Sequence, residues 1–235
     1  MTIIAGNWKM NHDSESCLSF LNEFESYGKI PKNVEAVIFP TFLSLNAFLK
    51  KTSYIDIGAQ NGHWKKNGAF TGEVSIFDLK KMNINWLLVG HSERRHIFGE
   101  ESSILKKKVE VSLSLGMKTV YCVGETIGQK KDGKTENVLR GQVNSIKEFL
   151  DDENLIIAYE PVWAIGSGMP AGAEDADKAS SFCKDFCKRN IPILYGGSVN
   201  SENISNYLKS GMIDGFLIGG ASLKPRSFRN LIDAV

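Results

Sequence analysis

The sequence has no excess of charge of one sign, because 28 Lys and Arg residues stand against 27 Asp and Glu residues, a formal net charge of +1. Proteins that bind nucleic acid or an anionic membrane through their overall field carry a clear basic excess. The composition therefore predicts neither a nucleic-acid partner nor a membrane partner. An anionic ligand would have to be held by local groups.

Long apolar runs and a disulfide pattern are also missing. No run approaches the roughly 20 residues of a membrane helix, and no charged lead followed by an apolar secretory stretch is present. The four cysteines follow no disulfide framework, and Cys183 and Cys187 are one helical turn apart, where core packing is favoured over metal binding. We expect a cytoplasmic protein in a reducing compartment, with no metal site.

Eight short apolar runs bounded by Gly, Pro or polar residues recur along the chain. They do not alternate with polar residues, which is typical of parallel strands buried on both faces. Amphipathic segments lie between most of them. Eight strand and helix units in 235 residues predict an α/β fold, a closed (β/α)8 barrel that forms a single domain over residues 1–235. The runs are at 2–6, 35–40, 55–60, 85–90, 118–123, 155–160, 191–195 and 215–219.

In such a barrel, functional side chains collect where the strands end. Glu160 follows the sixth run among apolar neighbours that would strengthen it as a base, although a solvated carboxylate is the alternative. His91 follows the fourth run, where a helix N-terminus would favour a neutral ring; a structural role is equally open. Lys9 follows the first run and is either a ligand of an anion or an ordinary surface lysine.

Glycine pairs follow the seventh and eighth runs, Gly196-Gly197 and Gly219-Gly220. Backbone N–H groups at helix starts bind phosphate, and barrels of this class have their phosphate site at these two loops. One pair alone would indicate only a tight turn. Both pairs together predict a phosphate site.

Two nucleotide-binding patterns compete with this interpretation. GQKKDGKT at 128–135 matches the P-loop pattern, but four residues separate it from the preceding strand and its charges favour an exposed turn. Gly166, Gly168 and Ala171 match the dinucleotide fingerprint, again away from a strand and with Pro170 in the turn. A P-loop nucleotide-binding protein is kept as the alternative function.

Several longer motifs resemble the signatures of the triosephosphate isomerase family, from Ala5 to the C-terminus. The resemblance implies an isomerase of glycolysis and gluconeogenesis, which interconverts dihydroxyacetone phosphate and glyceraldehyde 3-phosphate without a cofactor. The motifs are AGNWKMN at 5–11, VGHSERR at 89–95, YCVGET at 121–126, AYEPVWAIGSG at 158–168, LYGGSVN at 194–200 and DGFLIGGASLKP at 214–225.

The resemblance also implies roles for single residues. Glu160 would be the base that moves the carbon-bound proton, and His91 would polarise the carbonyl as a neutral acid. Lys9 and Asn7 would stabilise the enediolate. The supporting residues would be Glu93, beside Lys9, and Ser92; the phosphate ligands would be the amides of Gly166, Ser198, Gly219 and Gly220.

The resemblance also implies functions for two longer segments. A lid at 162–171 would close over the intermediate, although Met169-Pro170 departs from the usual lid sequence. The long segment 61–75 would dock into a second subunit and make a homodimer or a larger oligomer. There Thr71 would reach the partner's catalytic region, and Glu73 would pair with Arg94 or Arg95.

Overall fold

Eight parallel strands form a closed barrel in the computed structural model, which describes residues 1–49, 54–165 and 171–235. Each strand pairs with the next along the chain, and the last pairs with the first. The predicted fold class is confirmed. The strands are β1 Thr2–Asn7, β2 Val34–Phe39, β3 Asp56–Ala59, β4 Trp86–Val89, β5 Lys118–Val123, β6 Leu155–Tyr159, β7 Ile193–Tyr195 and β8 Gly215–Ile218.

Helices surround the barrel, and the chain alternates between strand and helix, as predicted. None of the helices within the described ranges combines the length and apolar character needed to span a membrane. The helices in these ranges are α1 Ser14–Ser26, α2 Leu45–Leu49, α3 Ile76–Lys81, α4 Ser92–His96, α5 Ser102–Ser114, α6 Ile127–Lys131, α7 Thr135–Asn144, α8 Ala173–Cys187, α9 Ile204–Leu208 and α10 Pro225–Asp233.

The strands bury both of their faces. One set of strand side chains fills the barrel interior, including Phe39, Trp86 and Leu194. The other set packs against the helices in a larger core cluster, including Ile38 and Ile157. Because neither face meets water, the strands read as continuous apolar runs, which is why the sequence revealed them.

All four cysteines are free and buried. Cys183 and Cys187 belong to the core cluster between barrel and helices, so their predicted packing role is confirmed. Burial raises the pKa of Cys183 to about 12 and that of Cys187 to about 11. Within the described ranges, no group of His, Cys, Asp and Glu side chains is arranged to hold a metal ion.

The P-loop pattern at 128–135 does not form a phosphate-binding loop. Thr126 starts α6 with a capping box shared with Gln129, so Gly128 lies inside a helix. Gly133 then turns the chain at a φ of +67°, and α7 begins at Thr135. Most backbone N–H groups of this segment, including those of Gly133 and Lys134, donate to acceptors of α6 or its cap. The structure gives no support to the alternative function.

Candidate active site

The carboxyl ends of the strands open into a cavity of about 540 Å³. Residues that the sequence singled out at five different strand ends meet there. Ser92 and Glu93 lie directly behind it, at the start of α4. Gly166 and Met169-Pro170 lie outside the described residues. The selected residues that line the cavity are Asn7, Lys9, His91, Glu160, Ser198, Gly219 and Gly220.

Glu160 follows β6 and is 3% exposed. Its backbone N–H donates to the carbonyl of Val123 at 2.7 Å, which continues the pairing with β5 for one more residue. Oε2 accepts the backbone N–H of Ser92 at 3.2 Å, and Oε1 lies 3.2 Å from Nε2 of His91. The carboxylate is thus buried in an almost dry site, and both of its oxygens have a polar partner.

Two glycines make room for this carboxylate. A Cβ at Gly196 would stand 2.7 Å from Cγ of Glu160, and a Cβ at Gly124 would stand 1.8 Å from its carbonyl oxygen. Neither contact is sterically possible without a shift of Glu160. Gly196 was selected as part of a phosphate-binding pair, and the structure gives it this second reason.

His91 is the N-cap of α4 and is buried. Its Nδ1 accepts the backbone N–H of Glu93 at 3.3 Å. A ring nitrogen that accepts a hydrogen bond carries no proton, so the ring is neutral and its single proton is on Nε2. That proton faces Glu160 and the cavity, where it can be donated to a substrate oxygen.

Lys9 has a left-handed backbone with a φ of 53°, which costs a residue with a side chain roughly 1–3 kcal/mol. Two hydrogen bonds hold this conformation: its N–H donates to Oδ1 of Asn7 at 3.0 Å, and its carbonyl accepts Nε2 of Gln60 at 2.7 Å. Nζ lies 2.6 Å from Oε1 of Glu93. The backbone of Lys9 is therefore held by Asn7 and Gln60, and its ammonium group is held at the cavity wall by Glu93.

Ser198 and the Gly219-Gly220 pair form another part of the cavity wall. The Ser198 hydroxyl donates to the carbonyl of Ala164 at 3.0 Å. Among the residues that the structure describes, no acceptor is recorded for the backbone N–H of Ser198 or of Gly220. These N–H groups are available to an anion in the cavity.

A buried network stands behind Glu160. Glu125 is fully buried and accepts Tyr159 Oη at 3.2 Å and Trp163 Nε1 at 2.9 Å. Burial, followed by the charge of Glu125, raises the pKa of Tyr159, which therefore stays a proton donor. Lys130 covers the face of Trp163 at 4.0 Å and pairs with Asp175 at 2.6 Å. The chain that follows Glu160 is held at 162–164 by these contacts.

The residues expected at a subunit contact lie at the surface or in a separate network. Thr71 and Glu73 are exposed. Arg94 donates to Glu100 at 2.9 Å, and Lys108 pairs with the same carboxylate at 2.6 Å. Burial alone would raise the pKa of Glu100, but hydrogen bonds from Arg94 and Lys108 outweigh it and lower the pKa.

Arg95 is bound to the backbone carbonyls of Gly90 and Cys122. Both arginines thus have partners within the protomer. The pairing of Glu73 with one of them stays a prediction.

Three residues of this region were missed in the sequence. Gln60 directly follows β3, and a polar side chain at a strand end was the available signal. Glu125 lies within the YCVGET motif, but its partners are 34 and 38 residues away along the chain. Asn203, which lines the cavity, gave no signal.

Comparison with known proteins agrees with this geometry. The family model described as triosephosphate isomerase matches residues 2–235. The chain is 42% identical to a triosephosphate isomerase of Dictyoglomus thermophilum, with 98% of each chain covered. It is 40% identical to proteins of the same name from Natranaerobius thermophilus, covering 99% of this chain and 95% of the relative, and from Aquifex aeolicus, covering 98% of each. The chain therefore belongs to the triosephosphate isomerase family.

Proposed function

We propose that the protein interconverts dihydroxyacetone phosphate and glyceraldehyde 3-phosphate by proton transfer through an enediolate. One observation carries the proposal: the buried carboxylate of Glu160 and the neutral ring of His91, 3.2 Å apart, face one cavity with the free N–H groups of Ser198 and Gly220. A base, an acid and an anion site around one small cavity are what this isomerisation requires.

Glu160 takes a proton from the carbon next to the carbonyl, and the C–H electron pair becomes the carbon–carbon double bond of the enediolate. The carbonyl electron pair moves onto oxygen, where Nε2–H of His91 donates to it. The ammonium group of Lys9 and the amide of Asn7 stabilise the negative charge. Glu160 then returns its proton to the neighbouring carbon. The former carbonyl oxygen keeps the proton that it received from Nε2 of His91, and the former hydroxyl oxygen gives its proton to that nitrogen, so that the carbonyl is transferred and the ring is restored.

The phosphoryl group is held by backbone N–H groups that line the cavity. The backbone N–H groups of Ser198, Gly219 and Gly220 donate to its oxygens, and we expect Gly166 to contribute another. Hydrogen bonds from backbone amides to a charged oxygen are stronger than neutral ones. They fix the reacting carbons near Glu160, because the phosphate lies at the end of a three-carbon chain.

The chemistry calls for no cofactor. Isomerisation moves hydrogen between adjacent carbons and between adjacent oxygens, with no net oxidation and no group transferred to another molecule. The side chains already named supply a base, an acid and a positive charge. We therefore propose that neither a metal nor an organic cofactor takes part.

The function is tested by a coupled assay. With glyceraldehyde 3-phosphate as substrate, formation of dihydroxyacetone phosphate is followed through its NADH-dependent reduction by an added dehydrogenase. We expect the parent protein to turn over, and Lys134→Met, which alters the exposed lysine of the P-loop-like pattern, to match its rate. Absence of turnover by the parent would refute the proposal.

We also propose a cytoplasmic homodimer. Large apolar side chains are exposed in the segment that follows each of the first four strands. Those strands are neighbours in the barrel, so these segments lie on one half of its rim. Exposed apolar side chains grouped on one side of a protein are typical of an interface. The four free cysteines suit a reducing compartment. The exposed residues are Met10, Leu43, Phe70, Ile97 and Phe98.

Light scattering tests the assembly. We expect a mass of twice the chain, independent of dilution over the micromolar range, because the exposed side chains are removed from water in the dimer. Phe70→Asp should shift the mass towards one chain at low concentration. A parent protein with the mass of a single chain would contradict the assembly but not the fold.

A further inference from the structure

The loop between β7 and α9 is closed by a pair of asparagines. Oδ1 of Asn203 accepts the backbone N–H of Asn200 at 2.9 Å, and its Nδ2 donates to the carbonyl of Ser198 at 3.3 Å. In return, Oδ1 of Asn200 accepts the backbone N–H groups of Glu202 and Asn203 at 2.9 and 3.0 Å. We call this set of four hydrogen bonds the asparagine clasp.

The clasp is not an ordinary helix cap. Asn203 occupies the N-cap position of α9, where an asparagine side chain usually accepts an N–H from the first turn of the helix. Here its side chain makes no capping hydrogen bond. It turns back towards Ser198 and Asn200 instead. Both of its polar atoms therefore form hydrogen bonds with the loop, and neither caps the helix.

The loop needs an anchor because of its composition. Gly196 and Gly197 precede Ser198, and glycine restricts the backbone less than any other residue. On the β7 side, the N–H of Gly196 donates to the carbonyl of Tyr159 at 2.8 Å. On the α9 side, the clasp holds Ser198 through its carbonyl. The Ser198 backbone is therefore fixed from both ends of a flexible stretch.

Asn203 and Asn200 both line the cavity, at the wall formed by Ser198 and Gly220. The recorded partners of the Asn203 side chain are Ser198 and Asn200, and the structure records no contact with Glu160, His91 or Lys9. A change at Asn203 therefore acts on the anion-binding wall and leaves the proton-transferring groups in place.

We propose that Asn203 is a positioning residue that holds the loop so that the Ser198 N–H faces the phosphoryl group. The proposal rests on the proposed function and adds a residue to its phosphate site. Asn203 does not touch the substrate; it fixes the group that does. The expected signature is a defect that depends on the phosphate of the substrate.

The experiment compares two substrates. For Asn203→Ala we expect kcat/KM to fall about tenfold with glyceraldehyde 3-phosphate, the effect of losing about one to two ordinary hydrogen bonds. With glyceraldehyde, which has no phosphate, kcat/KM should stay within about twofold of the parent value. The inhibition constant of inorganic phosphate should rise about as much as kcat/KM falls.

Asn206→Ala is the matched control, because Asn206 lies one turn further along α9 and is exposed. Among the described residues, the recorded hydrogen-bond partner of its side chain is the exposed Lys209. It should leave all three quantities unchanged. Asn200→Ala removes the other half of the clasp at an exposed position and should shift them in the same direction as Asn203→Ala, which covers the case of a poorly folded Asn203 variant.

Equal losses on both substrates, or unchanged phosphate inhibition in both clasp variants, would overturn the proposal. Failure of the proposed function looks different, because then the parent protein itself does not isomerise the phosphorylated substrate. In that case, calorimetric titration with inorganic phosphate still tests the role of the clasp, because Asn203→Ala should bind phosphate more weakly than the parent protein does.

Discussion

Glu160→Gln should lower kcat by about a thousandfold, with KM for glyceraldehyde 3-phosphate within roughly threefold of the parent value. Glutamine has the same size and can still accept the N–H of Ser92, so the cavity keeps its shape. It cannot accept a proton from carbon, so the step that requires a base is lost while binding is not. Steady-state kinetics in the coupled assay measure both constants.

Glu160→Asp is the matched variant for position rather than basicity. It keeps a carboxylate but withdraws it by about 1 Å, and a misplacement of that size costs about a hundredfold. The two variants should therefore both be impaired, with Gln the more severe. Thermal melting of each should resemble that of the parent. A Glu160→Gln protein that keeps more than a tenth of the parent kcat would exclude Glu160 as the base.

Lys9→Met should lower kcat/KM by about 10² to 10³. The enediolate carries negative charge that the substrate lacks, and Nζ of Lys9 is fixed at the cavity wall by Glu93 at 2.6 Å. A charge placed in advance stabilises the transition state more than the ground state, so kcat should fall as well as kcat/KM. Methionine keeps the unbranched shape and most of the length of the side chain but has no ammonium group.

Lys134→Met is the control for this change, because it makes the same substitution at a lysine whose side chain is 59% exposed. Its kinetics should equal those of the parent. Glu93→Gln should give a smaller loss than Lys9→Met, since it loosens the ammonium group without removing it. If Lys9→Met keeps kcat/KM within threefold of the parent, the charge has no part in the reaction.

The barrel could be predicted because its buried strands leave a recognisable apolar pattern in the sequence. Strands buried on both faces are continuous apolar runs, and each of the eight runs overlaps one strand. The main disagreement in extent is at β7, which was expected from residue 191 and begins at Ile193. Pro192 has no N–H to donate to the sheet, so the ladder starts after it.

The chemistry at strand ends was predictable for the same reason, since a barrel brings all carboxyl ends of its strands to one face. The supporting contacts were not. Gln60 and Asn203 act through carbonyl groups whose positions depend on loop conformation, which residue types and spacing do not specify. The P-loop-like pattern at 128–135 does not indicate a phosphate site, because the capping box at Thr126 starts a helix that runs into the pattern.

The most direct test of proton transfer by Glu160 is deuterium incorporation, followed by NMR while the protein isomerises glyceraldehyde 3-phosphate in D₂O. The carboxyl group that holds the abstracted proton can exchange it with solvent before returning it. We therefore predict that part of the dihydroxyacetone phosphate carries deuterium on carbon, at each extent of reaction. Full turnover with no deuterium on carbon, as a direct hydride shift would give, would contradict the account.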